Sequence, residues 1–288
     1  MAYKKFLAPL TGGARDASVL ASTFAAARPF NAHVVALFVR PDPAEAMPFF
    51  GEGVSGSMVQ EIVDVAKEAA DKASTEARST LEAAAKDAQA DILDKPEYRD
   101  ALTASFHEER GNFADRVTLA SRVADVVVFG PLKEGARAGL TEAFESVLLQ
   151  SGRPVLLAAH AAPKSFAQRV AVAWDGGIAS AHALTAAMPY LARAEAVEFL
   201  MVQRTGAEPV DCNEPREYLA LHGLSSTKRA IECGQKPIGE ALLEGAAAGG
   251  ADLLVLGGYG HSRLRQLFAG GVTKHVLGHA EMPLFLVH

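Results

Sequence analysis

The sequence predicts an α/β protein built from two copies of one strand-and-helix unit, each a parallel sheet covered by helices on both faces. Three observations carry this. Short apolar runs of strand length alternate with stretches of helical period, the pattern of successive βαβ units. The opening strand, turn and helix of the first half recur 164 residues later, and further on Val126–Gly130 matches Leu253–Gly257 and Gly152–Leu157 matches Glu281–Leu286. The chain has 288 residues, 49% apolar and 22% charged, enough for two ordinary units with a core each.

In chain order, Phe6-Leu7-Ala8-Pro9-Leu10 reads as the first strand, Thr11-Gly12-Gly13 as its turn, and Asp16–Ala27 as a helix with Val19, Leu20 and Phe24 at helical spacing. His33–Val39 is the second strand. About sixty residues, Arg40 to Ala101, then precede the third strand, against about twenty, Gln203–Leu224, in the second half. Within them Pro41–Ser57 is loop-like and Met58–Ala90 is one long Ala-rich helix. Its Ile62, Ala66, Ala69, Ala73, Ala77, Leu81, Ala84 and Ala88 form a narrow apolar stripe. That stripe suits a lengthened crossover helix packed on its own unit, or an arm that contacts the second half or another subunit.

Ala101–His107, Val126–Gly130 and Pro154–Ala158 complete the first set of strands, and Ala159–Gln168 is the junction. The second set begins with Val170–Trp174, the turn Asp175-Gly176-Gly177, and a helix Ser180–Leu191 with Leu184, Met188 and Leu191 on one face. Ala196–Val202, Ser226–Glu232, Leu253–Leu256 and a last run after Pro283 follow. Gly12-Gly13 falls on Gly176-Gly177, Leu20 on Leu184, and Thr11 on Asp175. The units are expected over residues 1–160, with an insertion at about 41–100, and 167–288.

The net charge of −6, without a Lys/Arg cluster, argues against a nucleic-acid surface. No apolar run approaches the ~20 residues that span a bilayer, so no membrane partner is expected. Met1–Leu10 lacks the apolar core of a signal peptide. Cys212 and Cys233 lack CxxC spacing and read as reduced thiols of a cytoplasmic protein. His275 and His279 stand at i, i+4 without a third ligand, so they read as surface histidines, and no metal site is expected. His107, beside Glu108 and Glu109, falls at the expected crevice mouth of the first half.

Ligands of parallel α/β sheets lie beyond the carboxyl ends of the strands, where strand order reverses. Glycines at 257, 260 and 270 give G-x2-G-x9-G directly after a buried strand. A strand that ends in a glycine turn and feeds a helix aims backbone N–H groups at an anion.

The opening Val170–Gly177, the segment Gly234–Gly257, the glycine spacing behind Asp252–Leu256 and the terminal Pro-strand together resemble the universal stress protein family in its tandem two-domain form. The resemblance implies two flavodoxin-like domains, five parallel strands each in the order 3-2-1-4-5, related by a pseudo-twofold axis. Pairing of Pro154–Ala158 with Pro283–Val287 would make an intramolecular pseudo-dimer, and a homodimer is a further expectation. It also implies a stress-response role and an adenine nucleotide (ATP, ADP or AMP, with Mg2+ where phosphate charge needs it) in the second unit. Carried over, Ala173, Asp175 and Val202 line the adenosine pocket, and Leu256, Gly257 and Gly260 border the ribose and phosphates. Gly270, Gly271, Val272 and Thr273 offer N–H groups, and Thr273 a hydroxyl, to the phosphate chain. No general base is evident, so no catalytic residue is assigned and hydrolysis would be slow at most.

Two departures stand out. Gly271 occupies the place where the family carries Ser or Thr, and no P-loop lysine follows, so phosphate charge would rest on backbone dipoles, a metal ion, or Arg263, Arg265 and Lys274. In the first half Thr11 replaces the Asp, Pro131-Leu132-Lys133 follows Gly130 without a second glycine, and Thr141-Glu142 stands in the place of Gly270-Gly271. That half is expected to bind nothing. The alternative reading is an interaction or scaffold module with no small ligand, working through the long helix and the terminal strands.

Overall fold

The computed structural model describes residues 2–42, 56–132, 139–159, 165–204, 206–208, 210–258 and 271–288. The first half runs β1 (Lys5–Leu10), α1 (Asp16–Ala27), β2 (His33–Arg40), α2 (Gly56–Asp87), β3 (Asp91–Ile92), β4 (Thr103–Arg110), α3 (Phe113–Ser121), β5 (Val126–Phe129), α4 (Leu140–Gln150) and β6 (Val155–Leu157). The second runs β7 (Arg169–Ala173), α5 (Ile178–Leu191), β8 (Ala196–Gln203), α6 (Asn213–Leu221), β9 (Thr227–Glu232), α7 (Ile238–Ala248), β10 (Leu253–Gly257), α8 (Gly271–His279) and β11 (Leu284–Val287).

Among the described residues the strands form one 11-stranded sheet, β3-β4-β2-β1-β5-β6-β11-β10-β7-β8-β9. Each half contributes the flavodoxin-like order 3-2-1-4-5, and the two-residue β3, which has no counterpart in the sequence reading, adds outside β4. Pairing inside each half is parallel. β6 and β11 pair antiparallel, with Leu157 opposite Leu284, Leu156 opposite Phe285 and Val155 opposite Leu286. That joint relates the halves by a pseudo-twofold axis. It also sets the carboxyl ends of one half's strands on the sheet edge where the other half's strands begin.

The apolar runs form strands because both their faces are buried. Phe6, Ala8 and Leu10 enter a cluster shared with α1, α2, α5 and α6, whereas Leu7, Val35 and Leu37 enter one shared with α3, α4, α7 and α8. Each fully buried Phe or Leu contributes roughly 1.5–3 kcal/mol. Across the axis, Tyr190 on α5 donates to the carbonyl of Ala26 on α1 at 3.1 Å, and Tyr3 donates to Ala186. The rings of Tyr3, Phe30 and Phe166 stand edge-on to Tyr190 with centroids 5.2, 5.2 and 5.3 Å away. Burial pushes both phenols far above the ordinary range, so they remain donors.

The long insertion helix packs on its own half: among the described residues α2 meets α1, β2, β3 and β4. Its buried line is Ala70, Ser74, Ala77, Leu81 and Ala85. Leu81 and Ala77 belong to the expected stripe, but Ala66 and Ala69 are exposed and Ile62 is 41% exposed, so the stripe turns away from the core toward the amino end. Polar contacts fix the helix as well. Arg40 bridges Asp71 of α2 and Glu108 of β4, and Ser74 Oγ donates to Glu108 at 2.5 Å. Burial pushes the Glu108 carboxyl up, but the bonds from Arg40 and Ser74 outweigh it and hold it below the usual range.

Where β2 meets β4, the buried His33 places Nδ1 2.8 Å from Thr103 Oγ1 and Nε2 2.9 Å from Ser105 Oγ. Burial first, then the charges of His107 and Lys5, lower its pKa to about 4 from 6.5. The unfolded chain therefore binds a proton that the folded chain refuses between those values, so stability rises with pH through that window and levels off above it. The whole shift would amount to ~3 kcal/mol, and solvent reaching the ring reduces this to about 1–2 kcal/mol. Urea unfolding at a series of pH values should show that loss between pH 6.5 and 4 in the native protein and a flatter profile in His33→Leu. Equal slopes in both proteins would remove His33 as the source.

Candidate functional site

The edge at which β7, β8 and β10 end is assembled by register. Ala173 pairs with Leu200, and Val172 with Val255, so Leu256, Ala173 and Leu200 end level with one another. Gly257 and Val202 lie one and two residues further along their strands. The structure thus brings Ala173, Val202, Leu256 and Gly257 to one edge, with Asp175 in the exposed turn beyond β7. Asp175 Oδ1 accepts from the N–H of Gly177 at 2.9 Å, an Asx turn that shapes the loop. Trp174 is held off the edge, its Nε1 donating to Asp211 at 3.0 Å and its ring edge-on to Phe199.

β10 and β11 are parallel. The connecting helix α8 therefore runs back along the sheet, and its amino end lies at the carboxyl edge of β10. Gly271, Val272 and Thr273 form its first turn, where backbone N–H groups lack intrahelical acceptors. A Cβ on Gly239 of α7 would stand 2.9 Å from the carbonyl of Val272, so this glycine lets α7 and α8 approach closely and fixes the start of α8. A Cβ on Gly271 would meet nothing within 4 Å among the described residues. Gly260 and Gly270, with His261, Arg263 and Arg265, lie outside the described residues.

Gly257 has a packing role that the glycine pattern did not disclose. A Cβ there would lie 2.6 Å from the backbone of Ala179 and Ser180. The absent side chain makes room for the first turn of α5.

The turn in the first half has the same backbone, with Gly12 and Gly176 both at φ +73°. Its donors are already used. The N–H of Gly12 donates to Asp16 Oδ2 at 2.7 Å, and the Thr11 N–H and hydroxyl donate to the same carboxylate at 3.0 Å. Burial pushes the Asp16 carboxyl above its usual range while these bonds pull it back. A Cβ on Gly12 would collide with the backbone of Ala73, so α2 lies directly over the turn. The residue at the place of Asp16 in the second half is Ser180, which donates to the Gly177 carbonyl at 2.8 Å instead. The contrast between Asp16 and Ser180, 164 residues apart, is the sequence signal of this difference.

His275 and His279 stack on α8 at 4.2 Å, and among the described residues no group of three or more His, Cys, Asp or Glu is placed to hold a metal ion. No described helix is long and apolar enough to cross a membrane.

Fold and edge together define a tandem flavodoxin-like α/β protein with one open and one internally occupied glycine turn. Residues 167–288 match the model of the universal stress protein family. Over its whole length the fold is that of a universal stress protein from Archaeoglobus fulgidus DSM 4304, with a TM-score of 0.67 at 17% identity, covering 99% of this chain and 96% of that one. A functionally unknown protein from Pseudomonas aeruginosa PAO1 aligns with a TM-score of 0.51 at 14% identity, covering 99% and 92%. No protein of curated function matches the sequence.

Gly257→Ala must displace α5 and should lower stability by about 1–3 kcal/mol in urea unfolding. Gly271→Ala, with open space around it, should stay within ~0.5 kcal/mol of the native protein. Equal effects would refute the packing role assigned to Gly257.

Proposed function

We propose that the second half binds an adenine nucleotide at the carboxyl edge of β7, β8 and β10, and that the protein serves a stress response through this binding and not through fast turnover. The observation that carries the reading is the convergence of Ala173, Asp175, Val202, Leu256 and Gly257 on one edge of the half that matches the family, with the first turn of α8 beside it. Asp175 would take a sugar hydroxyl or the adenine edge. The N–H groups of Gly271, Val272 and Thr273 and the Thr273 hydroxyl would meet the phosphates. Gly260 and Gly270 complete the proposed set. The donors fit a phosphate chain through dipoles more than through charge, so Mg2+ would share its neutralisation.

Isothermal titration of the full-length protein with ATP and Mg2+ tests this. Saturable binding is expected, weakened about tenfold or more in Asp175→Ala, since a hydrogen bond involving a charged group is worth roughly 1.5–3 kcal/mol. Gly271→Ser restores the family hydroxyl in open space and should tighten binding by about three- to tenfold, the worth of one further hydrogen bond. Neither heat nor a shift of melting temperature at millimolar ATP would end the reading.

A second reading rests on the amino-terminal turns of α2. Met58, Ile62 and Val65 are 55%, 41% and 62% exposed at i, i+4, i+7 spacing, an apolar stripe suited to a helix of a second copy. Sedimentation velocity should then show a dimer that dissociates in the Ile62→Glu, Val65→Glu double variant. A native protein that is monomeric throughout the concentration range would dispose of it.

A further inference from the structure

At the edge opposite Asp175, where β7, β8 and β9 begin, the second half holds a cavity of about 300 Å3. Val170, Ala171, Ala196 and Ala251 supply its apolar lining, and Arg169, Arg229, Glu198 and Thr227 its polar walls. Its volume lies at the lower end of the range of small-molecule sites.

The duplication explains why space exists here. The N–H groups of Lys5 and Arg169 each donate to an aspartate at the start of a neighbouring strand, Asp125 at 2.9 Å and Asp252 at 2.9 Å, which makes these two residues equivalent. Their strand partners are His33 and Ala196. In the first half the His33 imidazole occupies this end of the sheet and is tied to Thr103 and Ser105. In the second half a methyl group stands in its place. β9 also joins two residues later, with Thr227 opposite Glu198, not opposite Ala196.

The polar groups around the space are incompletely matched. Arg229 Nη2 engages Glu198 at 2.5 Å and the Gly245 carbonyl at 2.8 Å. Arg229 Nε is buried and meets no acceptor among the described residues. Arg169 Nε donates to the Gly249 carbonyl at 3.3 Å. Arg169, Arg229 and Glu198 thus line the space as two guanidinium groups and one carboxylate, and the buried Arg229 Nε is a donor that a water or a bound ligand would satisfy.

We infer that this cavity binds a small aliphatic carboxylate, its chain against Ala171, Ala196 and Ala251 and its charge on Arg169 and Arg229. A guanidinium pair matches a carboxylate in geometry and charge. An ammonium ligand would be repelled by both arginines. A phosphate dianion would face Glu198 and the carbonyl end of α7 at close range, and both oppose a second negative charge.

Butyrate is the probe, titrated into full-length protein and followed by methyl NMR. Saturable shifts are expected at Ala171 and Ala196, with butylammonium and inorganic phosphate producing none. Arg169→Ala should weaken butyrate binding about tenfold or more, the worth of a charge-assisted hydrogen bond. Ala196→His, which copies the first half, should abolish it. Arg169 is exposed, so its variant keeps the test decisive if Ala196→His does not fold. Asp175→Ala should leave butyrate binding unchanged, which separates this site from the proposed nucleotide site. Absence of saturable shifts, phosphate binding as tight as butyrate, or undiminished binding in Arg169→Ala would each overturn the inference.

Discussion

Three residue pairs between β6 and β11 join two sheets into one, and most of the architecture depends on them. Each of these short strands would otherwise be an edge with a row of unpaired N–H and C=O groups. Joined, they bury Leu156 and Phe285 within one continuous apolar layer that holds α1, α2, α5 and α6. Because the layer is shared, the hydroxyls of Tyr3 and Tyr190 can end on backbone carbonyls of the opposite half in surroundings where an unmatched phenol would cost about 1–3 kcal/mol. The joint is antiparallel, so the two glycine turns open on opposite edges of the sheet. The carboxyl edge of the first half lies on the same side as the Arg169–Arg229 cavity of the second.

The two turns share a backbone and differ in what it holds. A glycine at φ +73° aims the same N–H groups in both, but a buried carboxylate four residues on from Gly12 accepts them in the first half. The cost of burying Asp16 is offset by three short bonds, and the packing of α2 over Gly12 removes the route by which an outside anion could compete. Loss of Asp from position 11 and the long insertion between β2 and β4 are thus two parts of one arrangement.

The fold was legible because its determinants are local. Apolar runs bounded by glycine turns gave the strands to within a few residues, and α1 begins and ends where Val19, Leu20 and Phe24 placed it. Less of α2 was legible, since alanines surround this helix and composition alone does not say which of two adjacent lines faces the sheet. Ser74 and Ala85 are buried while Ala66 and Ala69 are exposed, and the Arg40–Glu108–Ser74 contacts lie along the buried line beside Ala77 and Leu81. The site divides in the same way. Ala173, Val202 and Leu256 are named by the family resemblance, and strand register brings them to one edge. The close approach of α5 to Gly257 is a contact between elements seventy-odd residues apart in sequence, and no spacing of glycines records it.

One contrast runs through both ends of the molecule. At the carboxyl edge the first half has Asp16 in its turn and α2 over it, where the second has Ser180 and an exposed Asp175. At the amino edge the first half has the His33 ring between β2 and β4, where the second has Ala196 and a cavity. In each case the first half carries an internal polar group, hydrogen-bonded and buried, at the position where the second half leaves donors and space. Two independent substitutions of that kind, on opposite edges of one sheet, make the first half a filled structural partner. They leave the open donors and space in the second half, which the first half joins through the β6–β11 pairing.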